Sequence, residues 1–428
     1  MYNIPSGWES VRIGNLVEQV ERWENVEKHK PYRQMGVKWY AQGVFERETK
    51  KGSQIKAVKL CRIEKGDFVY NRLFAWKGSF ALVTESQHGG YVSGEFPIFS
   101  VKKAKADSNF LLYYFSRPII WDKIELQSTG TSNASRFRWK EGDFTSFPLL
   151  LPPLPEQRKI AEVLGSVDEV IEKTKAVIGQ LKAVKQALLE ALLTCGLDTS
   201  GHLRNPLKSS HLFKQSPLGL IPKEWEVDKL GSVCARSGGS IQIGPFGSQL
   251  HSSDYREEGI PIMTVEHLGE NEIIHQNLPL VGEEDYERLK KYHLKTGDLV
   301  FSRVGSIDRC GYVSEKENGW MFSGRCLRVR VGMKLIGSKF LSHQLNNTTH
   351  RNWILKHSVG STMHCLNTTI LSNVPVIIPP FPEQKEFEII IDANIQRIMT
   401  EESKLDQLEV IKNGLMSILL TGEKRVKV

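Results

Sequence analysis

Pro152-Pro153-Leu154-Pro155-Glu156-Gln157 returns as Pro379-Pro380-Phe381-Pro382-Glu383-Gln384. Both copies open a long run of helical periodicity. After the first, apolar residues fall at Ile160, Val163, Leu164, Val167, Val170, Ile171, Val177, Ile178, Leu181, Val184, Leu188 and Leu192. After the second they fall at Phe387, Ile390, Ile391, Ile398, Leu405, Leu408, Ile411, Leu415, Ile418 and Leu419, with Asn394 and Glu401 in the seam. This is the a/d stripe of a coiled coil. Pro155 and Pro382 suit a first helical position, and Glu156 and Glu383 complement the positive helix start. Gly196 and Gly422 stand where a left-handed C-terminal cap is expected. Each helix is predicted to run about 35–40 residues, or about 55 Å. A helix of this kind needs a partner. The other copy, lying antiparallel, is the simplest one, and packing back on its own domain is the alternative.

The repeat extends beyond the helices. Ile4-Pro5-x-x-Trp8 matches Ile221-Pro222-x-x-Trp225, and Gly66-Asp67-x-x-x-x-Arg72 matches Gly297-Asp298-x-x-x-x-Arg303. Ser93-Gly94 matches Ser323-Gly324, and Phe110-Leu111 matches Phe340-Leu341. The offset drifts from 217 to 231 through the body of each half, whereas Gln157 to Thr194 and Gln384 to Thr421 are both 37 steps. Insertions therefore enter the bodies and spare the helices, as expected of a spacer whose length matters. The fold class predicted is α+β: two similar mixed α/β domains separated by two long helices that form an antiparallel coiled coil, a pseudo-two-fold internal repeat. The boundaries expected are a first domain at 1–150, a first spacer helix at 151–196, a linker at 197–215, a second domain at 216–375, a second spacer helix at 376–422 and a tail at 423–428. Short strands are expected at Asp67–Tyr70, Phe80–Val83 and Asp298–Phe301, and short helices near Asn109–Ser116 and Ser338–Asn346.

The chain has 428 residues, 40% hydrophobic and 25% charged, with a formal charge of +8. That length suits two or three domains, and the modest positive charge suits a polyanionic partner. No secretory signal, membrane-length apolar run or zinc-ligand spacing is visible, so a cytoplasmic protein with reduced cysteines is expected.

Basic residues are interleaved with aromatics in both halves. In the first, Arg33, Lys38, Arg47, Lys50, Arg72, Lys77, Arg136, Arg138 and Lys140 lie among Trp39, Tyr40, Trp76, Phe137 and Trp139. In the second, Arg303, Arg309, Arg325 and Lys356 are the candidates, with Arg328, Arg330 and Arg351 in the same basic set. Lys and Arg bind phosphates and Arg also reads base edges. Each residue taken singly reads more readily as a solvated surface charge; as sets on matching regions of the two repeats they favour DNA. Thr131 in Thr129-Gly130-Thr131, and Ser361 and Thr362 in Gly360-Ser361-Thr362, are further candidates for hydroxyl contacts to DNA, or else plain turns.

Catalytic motifs are absent from the sequence. Ile378-Pro379-Pro380-Phe381 lacks the Asn or Asp a methyltransferase needs, and Glu48-x-Lys50 lacks the acidic partner of a nuclease. A methyltransferase or nuclease with an unfamiliar motif, and a coiled-coil scaffold that binds no DNA, are the two competing functions.

The Trp8 and Trp225 openings, the two Gly-Asp turns and above all the doubled Pro-Pro-x-Pro-Glu-Gln helix starts resemble the specificity (S) subunit of type I restriction–modification systems. The likeness covers essentially the whole chain. It implies two target recognition domains that each read half of a bipartite double-stranded DNA site. It implies helices that fix the gap and dock two modification subunits, with restriction (motor–nuclease) subunits joining for cleavage. It also implies no cofactor in this chain, S-adenosylmethionine being held by the modification subunits, and no catalysis of its own.

Overall fold

The computed structural model describes residues 4–128, 138–269, 272–305, 307–332, 335–360 and 364–427. The chain forms two compact units, Met1–Ala176 with Glu402–Val428, and Val177–Glu401. Each long helix thus contributes to both.

Unit 1 begins with β1 (Glu9–Arg12), β2 (Val17–Gln19), β3 (Trp23–Asn25), β4 (Pro31–Val37) and β5 (Val44–Lys51). It continues with β6 (Lys59–Arg62), β7 (Phe68–Tyr70), β8 (Phe80–Leu82), β9 (Tyr91–Val92) and β10 (Ile98–Val101). Then come α1 (Ser108–Phe115), α2 (Pro118–Gln127), α3 (Glu141–Ser146), β11 (Pro148–Leu151) and the long α4 (Leu154–Cys195). Unit 2 begins with β12 (Phe213–Ser216), β13 (Gly219–Pro222), β14 (Glu226–Lys229), α5 (Leu230–Arg236), β15 (Ser240–Ile243), β16 (Tyr255–Arg256), β17 (Ile260–Met263) and β18 (Leu280–Val281). It closes with α6 (Glu283–Arg288), β19 (Leu299–Ser302), β20 (Cys310–Tyr312), β21 (Met321–Phe322), β22 (Cys326–Arg330), α7 (Ser338–Leu345), α8 (Thr348–His357), α9 (Thr368–Ser372), β23 (Pro375–Ile378) and the long α10 (Phe381–Leu419). The strands and short helices expected from the sequence are present. The long helices start one residue before the prolines assigned to their first position.

Each unit is layered by strand alternation. An inner sheet orders β2-β10-β7-β8 in unit 1 and β15-β22-β19-β20 in unit 2. Successive side chains on a strand point to opposite faces. Phe68, Tyr70 and Phe99 accordingly face a core shared with the helices, while Val69 and Ile98 face a second, smaller core. Leu299, Phe301, Leu327 and Val329 divide from Val300 and Cys326 in the same way. The smaller core is closed by an outer sheet, β3-β6-β9-β4-β5 in unit 1 and β16-β18-β17-β21 in unit 2. Each outer sheet contains one parallel pair, β4 with β9 and β17 with β21. The Gly-Asp turns recur as well. Asp67 accepts from Arg22 at 2.6 Å and from the Glu64 amide, and Asp298 accepts from Arg330 at 2.6 Å and from the Lys295 amide.

The long helices run antiparallel. In unit 1 the start of α4 meets the end of α10: Ile160 and Leu164 share a core with Met416 and Leu419, and Lys412 Nζ lies 2.6 Å from Asp168. In unit 2 the end of α4, through Leu189, Leu192 and Leu193, meets Phe387 and Ile391 at the start of α10.

The Glu-Gln pair at each helix start is a clamp. Glu156 accepts from the Trp8 indole at 3.2 Å and from Arg425 at 2.5 and 2.7 Å. Glu383 accepts from the Trp225 indole at 3.0 Å, from Arg204 at 2.7 Å and from the Leu197 amide at 2.6 Å. Gln157 accepts from the Asp107 amide and donates to the Pro152 carbonyl, and Gln384 accepts from the Gly337 amide and donates to the Pro379 carbonyl. Gly196 and Gly422 take the left-handed conformation, at φ 65° and 75°, next to Trp225 and Trp8 respectively. A Cβ at Gly196 would collide with Arg204, Glu383 and Trp225, and one at Gly422 would collide with Pro5 and press on Trp8. Residues 197–215, expected as a polar linker, are ordered: Leu197 bridges Leu203, Arg204 reaches Glu383, and β12 already begins at Phe213.

Two outcomes follow from buried polar groups. Replacing Glu383→Ala strips three donors of their acceptor. It should lower the stability of unit 2 by on the order of 3 kcal/mol and accelerate amide exchange at 197–204, read by urea denaturation and exchange mass spectrometry. His350, fully buried on α8, donates through Nε2 to the Pro375 carbonyl at 3.1 Å. Burial drives its pKa down to about 4, partly opposed by that hydrogen bond. The unfolded imidazole titrates near 6.5, so the unfolded state gains the proton first. Its contribution is therefore complete above pH 6.5 and is lost as pH falls towards 4, a change of up to about 3 kcal/mol. Urea midpoints of His350→Gln should fall less steeply than wild type across that window.

Candidate nucleic-acid interface

The outer sheets carry open grooves at matching places. In unit 1 one groove lies over Gln34, Met35, Lys50, Lys56 and Ser93, and continues across Arg47 and Phe96 into a second lined by Lys38, Trp39, Tyr40, Gln42 and Asn71. In unit 2 a groove of about 680 Å³ lies over His251, Tyr255, Thr264, Ser323, Gly324 and Arg325. The Ser-Gly turns that recur in the sequence, Ser93-Gly94 and Ser323-Gly324, follow the corresponding strands β9 and β21. Ser93 lines the groove of unit 1, and Ser323 and Gly324 line that of unit 2.

The elements flanking the parallel pair differ. Unit 1 has the long β4–β5 hairpin, with a bulge at Gln34/Met35. Gly36 in β4 makes room for what crosses it: a Cβ there would lie 2.8 Å from the Phe45 ring and 3.3 Å from Arg47. Unit 2 has the chain from Thr264 to Pro279 instead, carrying a 3-10 turn capped by His267, whose Nδ1 accepts from the Thr264 amide at 3.0 Å.

The candidate basic residues separate into groups. Lys38 and Arg47 are exposed on the groove and make no ion pair among the described residues. Lys77 lies over the Trp39 ring at 4.1 Å and the Trp76 ring at 4.8 Å. Arg33 pairs with Glu46 at 3.3 Å and donates to the Ser86 carbonyl, and Lys50 pairs with Glu48 at 2.7 Å. Arg72 and Arg138 are brought together through acids, Arg72 on Glu141 and Arg138 on Glu95 at 2.9 Å, while the Arg72 amide donates to the Glu95 carbonyl. Lys140 is exposed at the start of α3.

In unit 2 the Arg303 amide donates to the Arg325 carbonyl at 2.8 Å, and the Arg303 side chain donates to the Gly324 carbonyl at 3.0 Å. Arg325 is exposed on the groove. Arg309 donates to the Leu268 carbonyl at 3.4 Å. Lys356 is exposed on α8, outside the groove. Arg328 and Arg330 belong inside the fold: Arg328 is buried and holds Gln242 and the Lys291 and His293 carbonyls, and Arg330 holds Asp298. Arg351 pairs with Asp308 at 3.0 Å. Thr131, Arg136, Ser361 and Thr362 lie outside the described residues.

Sequence reasoning missed Gln34, Gln42, Lys56, Asn71 and His251. Amides and a lone histidine carry no periodic signal, and only the paired Ser-Gly turns marked the position. Among the described residues no group of His, Cys, Asp or Glu could hold a metal ion, and no helix is long and apolar enough to cross a membrane. The chemistry on offer is binding: cations for phosphates, amides for base edges and aromatic faces for stacking.

A family model described as the type I restriction modification DNA specificity domain matches twice, over residues 5–183 and 222–410. The chain is 24% identical over 438 residues to the type I restriction enzyme MjaVIII specificity subunit of Methanocaldococcus jannaschii, across 99% of this chain and 94% of that one. It is 28% identical over 246 residues to the EcoBI specificity subunit of Escherichia coli, across 56% and 49%. Its fold is similar to the S subunit of the type I system from M. genitalium, with a TM-score of 0.55 at 16% identity over 96% of both chains.

Gly36→Ala would displace Phe45 and Arg47 from the groove. We expect a stability change within about 1–3 kcal/mol, with nucleic-acid affinity falling several-fold, read by thermal melting and fluorescence anisotropy.

Proposed function

The chain belongs to the type I restriction–modification DNA specificity family, and on that premise we propose that it reads a bipartite DNA target for a larger modification complex. The domains at 1–150 and 216–375 each take one half-site. The observation that carries this reading is the groove repeated over Ser93 and Ser323, with the frame beneath it alike and the surroundings different. Two readers of one construction and different lining suit two unlike short sequences. Lys38, Arg47 and Arg325 supply phosphate or base contacts, joined by Lys50, Lys77, Arg303 and Arg309. Arg72, Arg138 and Lys140 flank the first surface.

The helices α4 and α10 set the gap. At 1.5 Å per residue, their 42 and 39 residues correspond to roughly 17–19 base pairs of duplex. They also offer docking surface: Val170, Val177 and Val184 of α4 are exposed one heptad apart, a stripe that supports docking of two modification subunits. Those subunits would hold S-adenosylmethionine and transfer the methyl group, and restriction subunits would join for cleavage in the cytoplasm. The chain itself then needs no cofactor.

The assembled complex should bind its target far more tightly than random duplex at physiological salt, and equal binding would sink the reading. Lys38→Ala and Arg47→Ala should each lower the slope of log K against log salt by about 1. Adding two turns to both helices should lengthen the unread gap in the methylation pattern and leave both half-sequences unchanged. An altered half-sequence would overturn the division of labour.

A further inference from the structure

The tip of the β4–β5 hairpin has features that phosphate binding does not require. Tyr40 and Ala41 both adopt left-handed backbone, at φ 57° and 53°. Non-glycine residues hold that conformation only where their surroundings enforce it, and such strain gathers at binding sites. Two hydrogen bonds enforce it here, from the Tyr40 amide to the Lys77 carbonyl at 2.8 Å and from the Ala41 amide to the Gly78 carbonyl at 2.7 Å.

The strained turn sets two large rings towards solvent. Trp39 is 41% exposed and Tyr40 56%. Both are backed from within the fold. Phe74 lies 5.2 Å from Trp39, Lys77 Nζ stands 4.1 Å over its ring, and Trp121 lies 5.8 Å from Tyr40. Lys38 adjoins the rings, and Arg47 lines the same groove. A rigid pair of exposed rings beside cations that make no ion pair among the described residues is built to meet a flat apolar face next to negative charge. Stacked bases between phosphates have that character.

We propose that this tip is a wedge: on duplex DNA, Trp39 and Tyr40 enter the base stack at one step, while Lys38 and Arg47 hold the flanking phosphates. The inference rests on unit 1 reading DNA. Every base offers a ring face, so stacking on Trp39 is tolerant of sequence. The work of opening a step is not, being least at pyrimidine–purine steps. The wedge adds discrimination where no base edge is read.

The test uses the full chain assembled with its modification subunits. Target duplexes carry 2-aminopurine or pyrrolocytosine at each adenine or cytosine in turn, and thymines are probed with permanganate. Methyltransferases extrude their own target base, so the signal there is an internal control. Wild type should show a further rise at one or two adjacent positions in one half-site. Trp39→Ala/Tyr40→Ala should abolish that rise, keep the control signal and weaken target binding about tenfold. Trp39→Phe/Tyr40→Phe should retain it. Trp39→Leu/Tyr40→Gly removes both rings while suiting the left-handed backbone, and should behave as the double alanine with an unchanged melting temperature. Tight, target-specific binding with no rise beyond the control, or a rise that survives loss of both rings, would overturn the wedge and leave DNA recognition standing. Equal binding of target and random duplex would overturn both.

Discussion

A buried carboxylate at the first turn of each long helix organises this protein. Glu156 and Glu383 would be costly to bury alone. Each is made tolerable by an indole N–H from the opening of its own repeat and a guanidinium from the chain that follows the opposite helix. One side chain therefore ties together a domain's first residues, the start of one helix and the end of the other. The neighbouring glutamine fastens the segment before α1 or α7 to the same place. Antiparallel pairing and internal repetition are two views of this one constraint, because the arginine reaches its carboxylate only when start meets end.

The framework was legible in the sequence because it is local and repeated. Heptads mark α4 and α10, and the Gly-Asp turns mark the entry to an interior strand of each inner sheet. The Trp and Glu-Gln motifs marked themselves by recurrence, though their mutual contact did not show: 148 residues separate Trp8 from Glu156. The polar composition of 197–215 hid Arg204, whose partner lies far along the chain.

The candidate interface was less legible. Charge counting treats Arg47 and Arg330 alike, yet one lies open on a groove and the other is locked on Asp298. What distinguishes them is the strand face on which each lies and the acid that meets it, and both depend on pairings between distant strands. Position 95 makes the same point. Its carbonyl serves the same backbone bond as that of Arg325, yet the side chains there are opposite in charge.

The two cores on either face of each inner sheet have a consequence for how such a protein changes. The inner sheet separates a large aromatic core, which the helices share, from a small one under the outer sheet. Substitutions above the small core are insulated from the helix pair by a whole layer of strands, so their energetic effects should largely add rather than couple. A lineage can then rewrite the groove many times, residue by residue or by replacing a whole hairpin, without disturbing the helix pair.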